Sequence, residues 1–201
     1  SHSTRCRVMM DQLGSISSWW TQAESKLPAK FTPPNSMPHF LKKQSKVKVR
    51  TSLNPWLVTD HAKLIVIDQK EAYLGGMNIG REYRYDWHDM MFRLKGPIVS
   101  ELQNEFNKAW RLQGGLGDWG YPFHINKKYR TTINWNEIPI RILKTGATTS
   151  QIETAAIAAI RMAKKRVYIQ NSYYTSATLA DALVNAAKRG VDVRMVFPET
   201  N

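Results

Sequence analysis

Acidic residues are missing from one long stretch of this sequence, and cysteine is nearly missing from all of it. Cys6 is the single cysteine, which excludes an intrachain disulfide and suits, without requiring, a reducing compartment. No apolar run approaches the roughly 20 residues of a membrane-spanning helix. The opening "SHSTRCRVMM" does not read as a signal peptide, because no long apolar stretch follows its charges. A cytoplasmic or peripheral membrane location is therefore expected. Between Ser25 and Thr59 there is no Asp or Glu, yet Lys26, Lys30, Lys42, Lys43, Lys46, Lys48 and Arg50 all fall there. Such a like-charge block reads either as solvated loop or as a surface steering an anionic substrate. Over 201 residues the formal net charge is +13. That predicts attraction to polyanions (nucleic acid, anionic membrane or a phosphate-bearing substrate) without choosing among them. The hydrophobic share of 42% and charged share of 22% are those of a globular chain and argue against wholesale disorder.

What is present alternates between strand and helix signals. "RCRVMMD" (5–11) predicts a strand and "SWWTQAESKL" (18–27) an amphipathic helical piece. Four prolines between Pro28 and Pro38 exclude regular structure across "PAKFTPPNSMPHF". "KVKVRTS" has the strand period, and "AKLIVID" and "EAYLGG" form a hairpin turning around Asp68–Glu71. "DMMFRLKGP" reads as a further strand. "IVSELQNEFNKAWRL" reads as a helix with Ile98, Leu102, Phe106, Ala109 and Trp110 on one face. A Gly-rich and polar loop follows, with a module boundary inside it.

The last quarter predicts strand–helix–strand–helix–strand, the order of a helix-covered parallel sheet. Its pieces are a strand in "IPIRILK", then a helix from a Ser150–Glu153 capping box with Ile152, Ala155, Ala156, Ala159, Ile160 and Ala163 inward. A strand in "RVYIQ" comes next, then a helix with Leu179, Ala182, Leu183, Ala186 and Ala187 inward and Gly190 as its stop, then a strand in "VDVRMVFP". "VRMVFPETN" (193–201) also echoes "CRVMMDQLG" (6–14), an offset of 187 residues.

One short pattern carries chemistry. In "TDHAKLIVID", strand geometry sets His61, Lys63 and Ile65 on one face, with imidazole and ammonium roughly 6–7 Å apart. That pairing suits a phosphoryl group: the His attacks phosphorus or moves a proton, while the Lys neutralises non-bridging oxygens. Beyond it, "GGMN" (75–78) offers glycine backbone for close approach to a ligand at Gly76 and amide donors at Asn78. The same residues also fit a capped strand, a solvated lysine and a simple turn.

"HAKLIVID" followed by "AYLGGMNIG" resembles the His-x-Lys-x4-Asp signature and trailing Gly-Gly-x-Asn of the phospholipase D superfamily. "YDWHDMMFRLKGPIVSELQNEFNKAW" resembles its Trp-x-Asp, Gly-Pro and Phe-x3-Trp pattern. "RVYIQNSYY…LADALVNAAKRGVDVRMVFP" resembles the opening of the second repeat in two-motif members such as bacterial cardiolipin synthases. The resemblance implies an α/β fold, a mixed β-sheet flanked by helices, holding parts of two pseudo-repeats. Residues 1–125 would be the C-terminal part of the first repeat, 126–137 a linker, and 138–201 the N-terminal part of the second. By the same resemblance His61 is the nucleophile or its proton-transfer partner, and Lys63 and Asn78 hold phosphate oxygens. Asp68 supports the motif, and Asp89, with Asp86 as rival, orients the histidine. No cofactor or metal is implied. Asp60 departs from the basic or polar residue often found before the histidine of cardiolipin synthases.

The family mechanism uses two facing motifs, and only one is here, since His2, His39, His88 and His124 all lack a lysine two residues later. A second motif is expected near residue 248, outside this chain, or else from a symmetric homodimer partner. Three functions stay in play. The first is phosphodiesterase or phosphatidyltransferase chemistry on phospholipid at an anionic membrane surface, through a phosphohistidine. The second is nucleic-acid cleavage, with Trp19, Trp20, Phe31 and Phe40 stacking on bases. The third is a non-catalytic module that binds anionic membrane.

Overall fold

The computed structural model describes residues 5–11, 34–52, 61–80, 83, 87–112, 138–146 and 149–198. The expected helix over 18–27, the aromatic residues Trp19, Trp20 and Phe31, Asp60, Asp86, and the boundary and linker at 126–137 all lie outside the described residues. The chain divides into two compact units, Ser1–Asn134 and Trp135–Asn201.

The first unit holds two sheets and two helices among its described residues. Strands β1 (Arg7–Asp11) and β2 (Lys48–Ser52) pair in parallel. Helix α1 (Met37–Gln44) lies before β2 and packs on it. This helix overturns the expectation that the prolines forbid regular structure as far as Phe40. Pro38 sits in the first turn, where its missing N–H has no carbonyl to bond, and the Ser36 hydroxyl accepts from the His39 N–H at 3.4 Å. Strands β3 (Leu64–Ile67), β4 (Glu71–Gly75) and β5 (Met91–Lys95) form an antiparallel meander.

Helix α2 (Ile98–Leu112) starts where Gly96 takes a φ of +87° and Pro97 turns the chain off the sheet. Its inner face packs across all three meander strands. Ile98, Val99, Leu102 and Trp110 are buried there, and Ala72 is buried on β4. Val99 joins the face expected from sequence and is among the most deeply buried. Trp110, only 1% exposed, also ties this helix to the parallel pair. Arg50 of β2 stacks over its ring at 4.4 Å and donates to its carbonyl at 2.5 Å. Arg7 of β1 lies 5.6 Å from both the Trp110 and Phe106 rings and donates to Asn107 at 3.1 Å. Guanidinium groups on aromatic faces thus join the two sheets through one helix.

The second unit is built on the parallel pair β8 (Arg166–Gln170) and β9 (Asp192–Val196), linked by helix α4 (Ala177–Lys188). Helix α3 (Gln151–Met162) packs on α4. The core is Ile160, Ala182, Leu183, Ala186 and Val191, with Val167, Ile169, Val193 and Met195 pointing in from the strands. Gly190 ends α4 with a φ of +86°, as a left-handed helix stop requires.

Several expectations change here. No strand forms over 138–144; only the two-residue strands β6 (Thr145–Gly146) and β7 (Thr149–Ser150) pair beside it. Alternation marks strand potential, but a strand exists only against a partner, and none pairs with 138–144 among the described residues. Ile138 stays 85% exposed. Ile152, Ala159 and Ala187 are exposed rather than inward, and Ile157 packs on the core. The capping box is also rewired. Glu153 accepts from the side chain of Ser150 at 3.2 Å, and from Ser176 and Thr178, at the start of α4, at 2.5 and 2.8 Å. These hydroxyls, Ser176 first, hold its carboxyl below the usual range.

The echoing segments 6–14 and 193–201 supply β1 and β9, each a five-residue strand in a parallel pair. β1 pairs with a strand later in the chain and β9 with one earlier.

Candidate active site

The meander decides which residues can meet. Register pairs Leu64 with Leu74, and Gly75 with Met91. The start of β3, the end of β4 and the start of β5 therefore lie at one end of the sheet. His61 and Lys63 lead into that end, Gly76 and Asn78 leave it, and Trp87 to Met90 return to it. Asp68 does not join them. It sits at the opposite end, past the four residues of β3, roughly 16 Å from Lys63 by strand rise alone. Asp68 and Gln69 take φ of 51° and 57°, and the Lys70 N–H donates to the Ile67 carbonyl at 3.0 Å. Two consecutive left-handed residues match the twist of a tight hairpin, and Asp tolerates that region better than most residues. Its place in the structure is the turn.

At the other end, His61 is exposed and Lys63 half-buried. The Lys63 ammonium donates to the His61 carbonyl at 2.7 Å, which folds the cation back over the histidine backbone. Asn78 Nδ2 donates to the Tyr83 hydroxyl at 2.6 Å. The Tyr83 ring meets Trp87 edge-on at 4.8 Å.

The two glycines serve a purpose the sequence alone does not show. A Cβ on Gly75 would collide with the Met90 carbonyl, and one on Gly76 would lie 2.5 Å from Asp89 Oδ1. Their bareness makes room for the 89–91 segment. The Gly76 N–H also donates to the Met90 carbonyl at 3.2 Å. Asp89 is thus seated on Gly76, with Oδ1 accepting from the Met90 N–H at 2.7 Å. Among the described residues, His61 and Asp89 share no hydrogen bond or ion pair.

The charges of the sheet are segregated. Glu71 lies at the hairpin end, where Arg93 grips it through two bonds of 2.6 and 2.9 Å and Lys95 approaches to 3.3 Å. The Arg93 bond above all, with Lys95 adding and desolvation opposing, lowers its carboxyl to about 2. That carboxylate is neutralised far from His61, leaving the other end to an imidazole, an ammonium, an amide and Asp89. Such a set favours an anion with several acceptor oxygens. Among the described residues, no three His, Cys, Asp or Glu side chains converge as metal ligands.

Tyr83 is the residue sequence reasoning passed over. It stands in a run of charged residues, and no periodicity marks it.

A family model described as "Cardiolipin synthase, PLD-like domain" matches residues 4–110 and 156–201, which include His61, Lys63, Gly76, Asn78 and Asp89. The chain belongs to this phospholipase D-like family. Cardiolipin synthase 1 of Staphylococcus aureus (strain COL) is 34% identical over 148 residues, covering 69% of this chain and 29% of that protein. The cardiolipin synthase of Clostridium perfringens (strain SM101 / Type A) is 32% identical over 158 residues, covering 69% of this chain and 31% of the relative. Cardiolipin synthase A of Buchnera aphidicola subsp. Acyrthosiphon pisum (strain APS) is 29% identical over 210 residues, 98% of this chain and 41% of its own length. The chain thus spans well under half the length of these relatives. Its α/β architecture, with parallel and antiparallel pairs under helices, is consistent with the phospholipase D-like fold. No helix among the described residues is long and apolar enough to cross a membrane.

Proposed function

We propose that this chain supplies half of the active site of a phosphatidyltransferase acting on phospholipid at an anionic membrane surface. The observation that carries the reading is the gathering of His61, Lys63 and Asn78 at one end of the β3–β4–β5 meander, in a chain whose relatives are named cardiolipin synthases. In this mechanism a His61 ring nitrogen attacks the phosphodiester phosphorus, a P–N bond forms, and the bond to the leaving alkoxide breaks. The alkoxide takes a proton from an acid on a second His-x-Lys motif, contributed by sequence outside this chain or by a second copy of it. An acceptor hydroxyl then gives that group its proton and attacks phosphorus, and the P–N bond breaks. Lys63 and Asn78 bind the non-bridging oxygens as charge builds on them. The net charge of +13 draws the protein to the anionic surface.

The test is His61→Asn in the complete gene product, assayed on phospholipid vesicles and, in parallel, on DNA. Phosphatidyl transfer should fall on the order of 10³-fold or more, and wild type quenched in denaturant at mildly alkaline pH should carry a phosphatidyl group on His61. Full transfer by the variant would remove His61 from the chemistry. Cleavage of DNA with vesicles untouched would move the substrate to nucleic acid.

A further inference from the structure

We propose that Tyr83 is a positioning residue for Asn78, fixing the amide that binds phosphate oxygens in the reading above, on which this inference rests. Asn78 is exposed and follows the strand end of β4, so its side chain would rotate freely if nothing held it. A phosphodiester offers only acceptors, so the amide serves it solely when Nδ2 faces it; the carbonyl end would repel it. The Tyr83 hydroxyl takes one Nδ2 hydrogen at 2.6 Å and leaves the second available. The phenol is itself held, because its ring meets the Trp87 edge at 4.8 Å. Trp87 in turn lies two residues before Asp89, whose carboxylate is seated on Gly76, two residues before Asn78. Gly76 and Asp89 are therefore neighbours, and the Asn78–Tyr83 bond is a side-chain link between described residues of that interval. Holding the donor in place before substrate arrives lowers the reorganisation needed as charge develops on phosphorus oxygens.

The experiment is a double-mutant cycle in the complete gene product, with hydrolysis of bis(4-nitrophenyl) phosphate as the readout. Asn78→Ala should lower kcat/KM about 100-fold, as loss of one oxyanion donor does. Tyr83→Phe keeps the ring on Trp87 and should lower it about tenfold. The double variant should be no slower than Asn78→Ala alone, because the phenol acts only through the amide. A double variant slowed by the product of the two factors overturns the proposal, as does a wild-type rate in Tyr83→Phe. If Tyr83→Phe does not fold, as judged by thermal melting, Trp87→Leu replaces it in the cycle. Additivity with Asn78→Ala overturns the proposal there too. Wild-type rates in Asn78→Ala and His61→Asn would sink the cradle itself, whereas additivity with both impaired sinks only the role of Tyr83.

Discussion

The two units solve the same problem, how to cover a parallel strand pair, with opposite materials. The second unit packs one alanine-rich helix, α4, on β9 and a second, α3, on α4, and its buried core is Ile160, Ala182, Leu183, Ala186 and Val191. The first unit sets α1 on β2 and ties its parallel pair to a large helix whose Trp110 is gripped by arginines from β1 and β2. It then spends a separate antiparallel meander on presenting polar residues at one open end. Small side chains suffice where packing alone is needed. Bulk and guanidinium stacking appear where a helix must hold both a sheet and a site.

That contrast can be broken most forcefully at the two cores. Trp110→Ala should cost about 3–5 kcal/mol in urea unfolding of the complete gene product, and Leu183→Ala about 2–4 kcal/mol. Arg50→Ala should cost less in a Trp110→Ala background than in the wild type, since the ring it stacks on is gone while its bond to the residue 110 carbonyl remains. If the two arginine and tryptophan losses simply add, the cluster is not a unit.

Smaller in expectation is the effect at the open end. Gly76→Ala drives a methyl into the Asp89 carboxylate and should destabilise by about 1–3 kcal/mol. In an Asp89→Ala background the same substitution should lose most of that penalty. Equal penalties in both backgrounds, measured by thermal melting, would show that the glycine is needed for another reason.

The mildest effect concerns Glu71, at the far end of the meander. Its folded carboxyl lies near 2 against an ordinary 4.5, so the ionised form is favoured by folding. The resulting stability is present above pH 4.5 and disappears as pH falls through about 2. Glu71→Gln should flatten the stability profile within that window alone. Because the pair is solvent-facing, added salt should shrink the difference between the proteins. A profile unchanged by the substitution would mean the Arg93 grip contributes nothing to folding.

Much of this architecture was legible in the order of residues, for reasons that can be named. Helix α2 follows its expected bounds because an apolar stripe is framed by Gly96–Pro97. The hairpin follows from alternation around a polar turn, and the helix stop at Gly190 from its lack of a side chain. Where reading failed, the missing information was tertiary. The alternation of 138–144 says nothing about whether a partner strand exists, and Pro38 is harmful or harmless according to which helical turn receives it. Glu153 bonds hydroxyls twenty-three and twenty-five residues away, at Ser176 and Thr178. At the site, spacing marked His61, Lys63, Gly76 and Asn78, and the family resemblance marked Asp89. That Gly76 serves Asp89, and that Tyr83 reaches Asn78, depends on how the chain doubles back.

The interval between Lys63 and Asp68 acquires a meaning from the length of β3, which fills it completely with Leu64, Ile65, Val66 and Ile67. The signature behaves as a ruler, with His61 and Lys63 at one graduation and a bend at the other. One inserted residue would reverse which of its aliphatic side chains face α2, so the interior itself enforces the spacing.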